Sequence, residues 1–204
     1  TLSTPFDISE ATFLTNSFCD VGSEATDGTT IEFNSDGTKF FLADMTSDDV
    51  EIYSLTTAYD VSTCVSQGNK SFTLDSSPNL RAITFSNDGK NIFLLDKAGG
   101  GHIFQYSLSS PFDLSNETLV KNFSPSGGLN ANGGDVRGIA FSSDGSKMFI
   151  TSGEGDTINE YSLSIPFNLT GNVTHDGFYN TSDELQQVWG CLLYTSPSPR
   201  DQLQ

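Results

Sequence analysis

Arg81 and Arg137 stand at the same offset ahead of a recurring Ile-x-Phe segment, in Arg81-Ala82-Ile83-Thr84-Phe85 and Arg137-Gly138-Ile139-Ala140-Phe141, and Trp189 takes that register in a further partial copy. Two guanidiniums and an indole converging from successive copies could hold a carboxylate, a phosphate or a sugar ring through forked hydrogen bonds, charge and stacking. The competing use is structural: in an acidic chain each arginine pairs with a neighbour such as Asp135 and braces adjacent copies. Loop acids such as Asp48, Asp49, Glu154 and Asp156 could serve a hydrolase if they converged. His102 and His175 are the only histidines; neither has a metal-binding spacing or stands beside a recognisable nucleophile. G-x-S-x-G, H-E-x-x-H, Cys-x-x-Cys and Walker patterns are absent from the sequence. Gly99-Gly100-Gly101 reads as a flexible turn, because no helix follows it to cradle a phosphate. The motifs therefore predict no catalytic set, no metal and no cofactor, and leave Arg81, Arg137 and Trp189 as ligand-binding candidates.

These residues sit in a chain of 204 residues with 26 acidic and 9 basic side chains, a formal charge of -17. Such a surface repels phosphate backbones, so nucleic acid is not an expected partner. The acidity is read as a solubilising surface; calcium is the sharper alternative, but no ligand loop is visible. No apolar run reaches the roughly 18 residues that a membrane-spanning helix needs, and no signal peptide is evident. Sixteen Phe in a 35% hydrophobic chain suffice for a packed core.

The elements that position the candidates come from an internal repeat. Ile31 to Leu42, Ile83 to Leu94 and Ile139 to Ile150 each read as a strand, an Asp-Gly turn and a second strand; Asp-Gly tolerates positive φ and suits a tight or bulged hairpin. Gly37 to Gly89 spans 52 residues, Gly89 to Gly145 56, and Phe112 to Phe167 55. Asp36, Asp88 and Asp144 are read as turn residues, since their spacing fails both the EF-hand and the Asp-box patterns. A third strand is expected at Val50 to Leu55, Ile103 to Leu108 and Ile158 to Leu163, and a fourth closing on Phe18, Phe72, Phe123 or Phe178. A four-stranded sheet apolar on both faces must stack on its neighbours. Radial stacking with a period just above 50 predicts an all-β fold, a partial β-propeller with an open arc of about three complete blades; an immunoglobulin-like sandwich would not repeat at this interval.

The Phe-Ser-x-Asp-Gly-x-Lys-x-Phe signature followed by Ile-x-x-Tyr-Ser-Leu resembles the repeats of bacterial lactonase-like and TolB-like propellers. The recurring Pro-Phe-Asp-Leu-Ser segment at Pro111 to Ser115 is similar to long-repeat propellers of marine bacterial and phage surface proteins. The resemblance covers residues 1–190, with 1–20 ending one blade, 28–74, 80–125 and 136–180 forming three, and 181–190 opening the next. Residues 191–204 break the repeat in mid-motif and resemble a translated sequencing adapter, so they are set aside. Further blades of the same chain are expected beyond this sequence. Cys19 and Cys64 occupy different places in the repeat and are expected as free buried thiols, an inter-blade disulfide being the alternative.

The loops joining fourth to first strands and second to third strands vary most between copies and should share one rim. They predict a non-enzymatic, secreted or surface-displayed propeller that binds a protein or glycan ligand there. The alternative is a propeller hydrolase of lactonase or glycosidase type using rim carboxylates, and a purely architectural spacer is the third reading.

Overall fold

A computed structural model of the chain describes Ser9, Thr12, residues 17–74, 78–125, 135–153, 155–183 and Gly190. Among these, the alternating and continuous apolar runs form three four-stranded sheets, each a meander of neighbouring antiparallel strands. The first sheet holds β1 (Gly28–Phe33), β2 (Lys39–Asp44), β3 (Asp49–Leu55) and β4 (Cys64–Ser71). The second holds β5 (Leu80–Phe85), β6 (Asn91–Asp96), β7 (His102–Leu108) and β8 (Glu117–Phe123). The third holds β9 (Val136–Phe141), β10 (Lys147–Ser152), β11 (Thr157–Leu163) and β12 (Val173–Asn180). The fold is the all-β partial propeller that the repeat predicts.

The middle strand β6 explains why the sheets stack. Ile92 and Leu94 face the first sheet, in a core with Phe41, Ala43, Val50 and Ile83, while Phe93 and Leu95 face the third, with Ile139, Phe141, Met148 and Ile150. All four β6 side chains are fully buried, and each contributes about 1.5–3 kcal/mol relative to exposure. β1 packs beside β5 and β5 beside β9, so the first strands of the three sheets line one inner wall.

The Asp-Gly hairpins are turns in all three sheets. Asp36, Asp88 and Asp144 each turn a carboxylate oxygen back on their own loop, accepting from the backbone N–H of Thr38 (2.9 Å), Lys90 (3.0 Å) and Ser146 (3.0 Å). Donation from Ser142 and Ser146 pulls the Asp144 carboxyl down to about 2. Gly37, Gly89 and Gly145 lie at φ of 70°, 68° and 70°, and a Cβ on any of them would run into the ring of Tyr59, Phe112 or Phe167 respectively. Those aromatic residues are themselves left-handed, at φ of 59°, 55° and 52°. Each donates its backbone N–H to the carbonyl of its glycine, at 2.8–3.0 Å. The ring on a side-chain-free turn thus latches the loop between third and fourth strands onto the hairpin between the first two, and glycine is required by both conformation and space.

The expectation of free thiols is corrected: Cys19 and Cys64 form a disulfide, with Cα atoms 5.9 Å apart. The cause is packing that the repeat does not encode. The segment from residue 17 lies against the outer face of the first sheet, where Cys19 and Val21 cover the cluster of Phe40, Tyr53 and Leu55. Cys19 is thereby brought to the start of β4. Phe18, expected to close a fourth strand, lies outside any strand and is 66% exposed, because its segment follows this apolar face and the disulfide instead of a ladder. By the chain-entropy relation, closing a separation of 45 residues stabilises by about 4 kcal/mol. Reduction, or Cys64→Ser, is expected to lower the urea midpoint by a large part of that amount, measured with and without reductant; an unchanged midpoint would count against the tether.

Candidate functional site

Three bulges build the mouth of the inner wall. The register of β1 on β2 shifts between Gly28 and Thr30, that of β5 on β6 between Leu80 and Ala82, and that of β9 on β10 opposite Val136 and Gly138. The extra residues are Thr29, Arg81 and Arg137, one per sheet at one repeat register. A bulge breaks strict alternation and re-aims the side chain it carries, so Arg81 and Arg137 leave the sheet faces for a shared cleft. Asp27, Gly28, Thr29 and Met45 complete its lining, enclosing roughly 170 Å³. Loops leading into first strands and loops joining second to third strands therefore meet on one rim. Trp189 lies outside the described residues.

The two arginines are held differently. Arg137 donates through Nε to Asp135 Oδ2 at 2.8 Å, and its NH2 group closes on the same oxygen. Lys97 Nζ reaches the other oxygen, Asp135 Oδ1, at 2.8 Å from the second sheet. Gly153 leaves the space: a Cβ there would stand 3.0 Å from Arg137 Nε. Burial acts to raise the Asp135 carboxyl, but hydrogen bonds from Lys97 and Arg137 outweigh it and hold the group below its ordinary value. Here the bracing role is realised. At Arg81, Nε is buried and meets no acceptor among the described residues. Loss of water, then the Arg137 charge, lower its guanidinium from the ordinary value, against Asp135 and Asp27. Thr30 Oγ1 donates to the Arg81 carbonyl at 3.2 Å, fixing β5 beside β1. A guanidinium beside a second cation, with a buried donor that meets no acceptor among the described residues, can donate to an anion.

The rim acids are loop staples. Asp48 Oδ1 accepts from Leu80 N at 2.9 Å across the first two sheets, and Asp49 Oδ2 from Asn69 Nδ2 at 2.9 Å. Asp44 accepts from Thr46 N (2.6 Å), Ser47 N (2.9 Å) and Asp27 N (3.0 Å). Asp96 holds Asn79 N (2.7 Å) and Ala98 N (2.9 Å) in the second sheet. Each of these last two ties both rim loops of its own blade together. Glu154 lies outside the described residues, and no cluster of three or more His, Cys, Asp or Glu that could hold a metal occurs among the described ones.

One acid on the wall escaped the motif reading. Glu32, on β1, stands half-buried three residues beyond the bulged Thr29, and loss of water pushes its carboxyl up to about 7 against a hydrogen bond from the Thr84 side chain. The sequence signal was the register: the corresponding residues are Thr84 and Ala140, and only the first copy places an acid there.

No protein-family model matches the chain, and no curated protein matches it. Solved structures do. A periplasmic gluconolactonase of Pseudomonas aeruginosa superposes with a TM-score of 0.53 at 15% identity, over 74% of this chain and 39% of that one. A protein of Lactobacillus plantarum gives 0.52 at 14%, over 76% and 42%. A proposed 6-phosphogluconolactonase of Bacteroides uniformis gives 0.51 at 20%, over 74% and 40%. The chain spans about two fifths of the length of these structures.

Asp135→Asn is expected to cost about 3 kcal/mol, because it removes the buried carboxylate that Arg137 and Lys97 share. The Asp135 carboxyl is lowered in the folded chain, so its contribution is present at neutral pH and is lost as pH falls below the ordinary value of 3.8. Urea melts at pH 7 and pH 3 check both: the gap between wild type and variant should narrow at pH 3, and a constant gap would contradict the ion-pair account. At identities of 20% and below, the structural likeness carries the partial-propeller fold; the expectation of a non-enzymatic binder is corrected, since two of these three structures are named as gluconolactonases.

Proposed function

We propose that this chain belongs to a propeller hydrolase of lactonase type, opening the ring of an anionic sugar-acid lactone at the mouth of the inner wall. The observation that carries the reading is Arg81, whose buried Nε has no acceptor among the described residues inside a cleft shared with Arg137. In a chain of net charge -17, two of whose three arginines meet there, the cleft is a local positive feature that selects a carboxylate or phosphate from a surface otherwise repelling both. The similarity to gluconolactonase structures supplies the reaction class. The glycosidase form draws less support, because Asp48 and Asp49 are spent on the rim loops rather than set opposite one another.

Lactone opening adds water across a ring ester. It needs an anchor for the substrate, a base for the water and a donor for the departing alkoxide. Arg81 supplies the first, with Thr29 and Asp27 beside it for hydroxyl groups of the sugar. The disulfide and the periplasmic setting of one similar structure favour an exported protein working outside the cytoplasm. Among the described residues no helix is long and apolar enough to cross a membrane.

The test is a pH-stat assay of the full-length protein on paired sugar lactones, with and without a phosphate or carboxylate. Arg81→Ala is expected to lower kcat/KM on the charged lactones by about 10–100-fold, the loss of one charge-assisted contact of roughly 1.5–3 kcal/mol. Neutral lactones should change little. Absence of hydrolysis, or an equal loss on both sets, would remove the reading.

A further inference from the structure

The arginine cleft has donors on one side and acceptors on the other. From β5 and β9 come Arg81 and Arg137, whose guanidiniums only donate. From the first sheet come Asp27 and Thr29. Asp27 is pinned by its backbone, its N–H on Asp44 Oδ2 at 3.0 Å and its carbonyl accepting from Met45 N at 3.0 Å. Thr29 gives its hydroxyl hydrogen to the Ala43 carbonyl at 3.3 Å, so toward a ligand that oxygen can only accept. The charges divide in the same way. Asp135 matches Arg137 and also takes Lys97, whereas Asp135 and Asp27 act on the Arg81 guanidinium through charge without a hydrogen bond. An incoming anion therefore meets one unmatched guanidinium, with the Asp27 carboxylate opposite. The cleft holds roughly 170 Å³, below the ~300 Å³ at which a site encloses a whole drug-sized ligand, so it grips one end of its substrate.

We propose that the anion taken here is a carboxylate with a hydroxyl group beside it, and that Asp27 and Thr29 turn phosphate away. This rests on the hydrolase reading above and names its substrate class: the monolactone of a sugar dicarboxylic acid, whose second carboxyl is free. A carboxylate has one charge and two oxygens in a plane, and both can lie along a guanidinium fork. The neighbouring hydroxyl then donates to Asp27 or Thr29, so the second sheet reads the charge and the first sheet the hydroxyl. A phosphate monoester carries about 1.5 to 2 negative charges at neutral pH and three acceptor oxygens. Its extra oxygen and charge have to turn toward Asp27 and Thr29, where they find no donor and a like charge. The selectivity comes from a break in the repeat: Thr29 stands at the bulge register that Arg81 and Arg137 fill in the other two sheets. An arginine there would have made the acceptor side a donor side and suited a phosphate.

The experiment is isothermal titration of the full-length protein at pH 7 and fixed ionic strength with glucuronate and glucose 6-phosphate, which carry a carboxylate and a phosphate at the same end of the same ring; glucose is the neutral control. Glucuronate should bind about tenfold tighter or more than glucose 6-phosphate, the effect of one like-charge contact in a partly desolvated cleft. Asp27→Asn removes the opposing charge at an exposed residue; it should strengthen glucose 6-phosphate without strengthening glucuronate, and so pull the ratio toward one. Thr29→Arg should invert the ratio, and Arg81→Ala should reduce glucuronate to the level of glucose. The wild-type comparison decides even where a variant folds poorly. Glucose 6-phosphate bound as tightly as glucuronate, a ratio unchanged in Asp27→Asn, or neither anion bound by a protein that opens lactones would overturn the proposal and leave the hydrolase reading standing. Selective binding of glucuronate by a protein that opens no lactone would remove the hydrolase reading and keep the carboxylate selectivity.

Discussion

A four-stranded sheet with apolar side chains on both faces cannot exist alone in water, and every other feature of this molecule follows from how that constraint is met. β6 sends Ile92 and Leu94 to one neighbour and Phe93 and Leu95 to the other. Burial on two sides requires the sheets to stack face to face, and the right-handed twist of each sheet converts the stack into an arc. In that arc the first strands lie side by side on the inner wall. The wall is where equivalent residues of successive copies can act on one ligand, so the hydrophobic requirement and the placement of the arginines have the same origin.

Charge is organised on top of this frame with some economy. Most carboxylates near the mouth are tied to backbone N–H groups: Asp44 and Asp96 clamp the two rim loops of their own blades, and Asp48 bridges to the next. A rim stapled in this way keeps its loops from collapsing onto the cleft. Asp135 then takes both Lys97 and Arg137, whereas the buried Arg81 Nε has no acceptor among the described residues. The asymmetry between two residues of identical repeat register comes from one neighbour. The residue two before Arg137 is an aspartate, whereas the residue two before Arg81 is Asn79.

Much of the architecture was legible because it is written three times. The Asp-Gly hairpins, the all-β class and the stacked sheets all follow from period and composition, and the shared register of Arg81 and Arg137 was visible as spacing. What stayed hidden depends on contacts outside the repeat or on backbone detail inside it. The bulges at Thr29, Arg81 and Arg137 add one residue to an otherwise regular strand, which no propensity marks. The Cys19–Cys64 disulfide joins a segment ahead of the first sheet to the start of its outermost strand, so the repeat offered no register that favoured pairing over the free thiols expected by default. The loop acids resembled reactive groups because a sequence shows carboxylates and not the amides they hold. Glu32 looked like an ordinary strand residue, since its elevated proton affinity arises only when the second sheet removes water from it.

The three aromatic latches sit on the hairpins between first and second strands, at the far end of every sheet from the arginine cleft. Tyr59, Phe112 and Phe167 lock Gly37, Gly89 and Gly145 by backbone hydrogen bonds and ring contact, and the Tyr59 hydroxyl adds a bond to the Ser35 carbonyl at 3.1 Å. The aromatic latches thus hold one pole of the molecule, and the carboxylate staples hold the loops around the arginine cleft at the other. Loops at the second pole can therefore change in length and sequence without loosening the latches at the first, which makes the frame a practical one for grafting new loops.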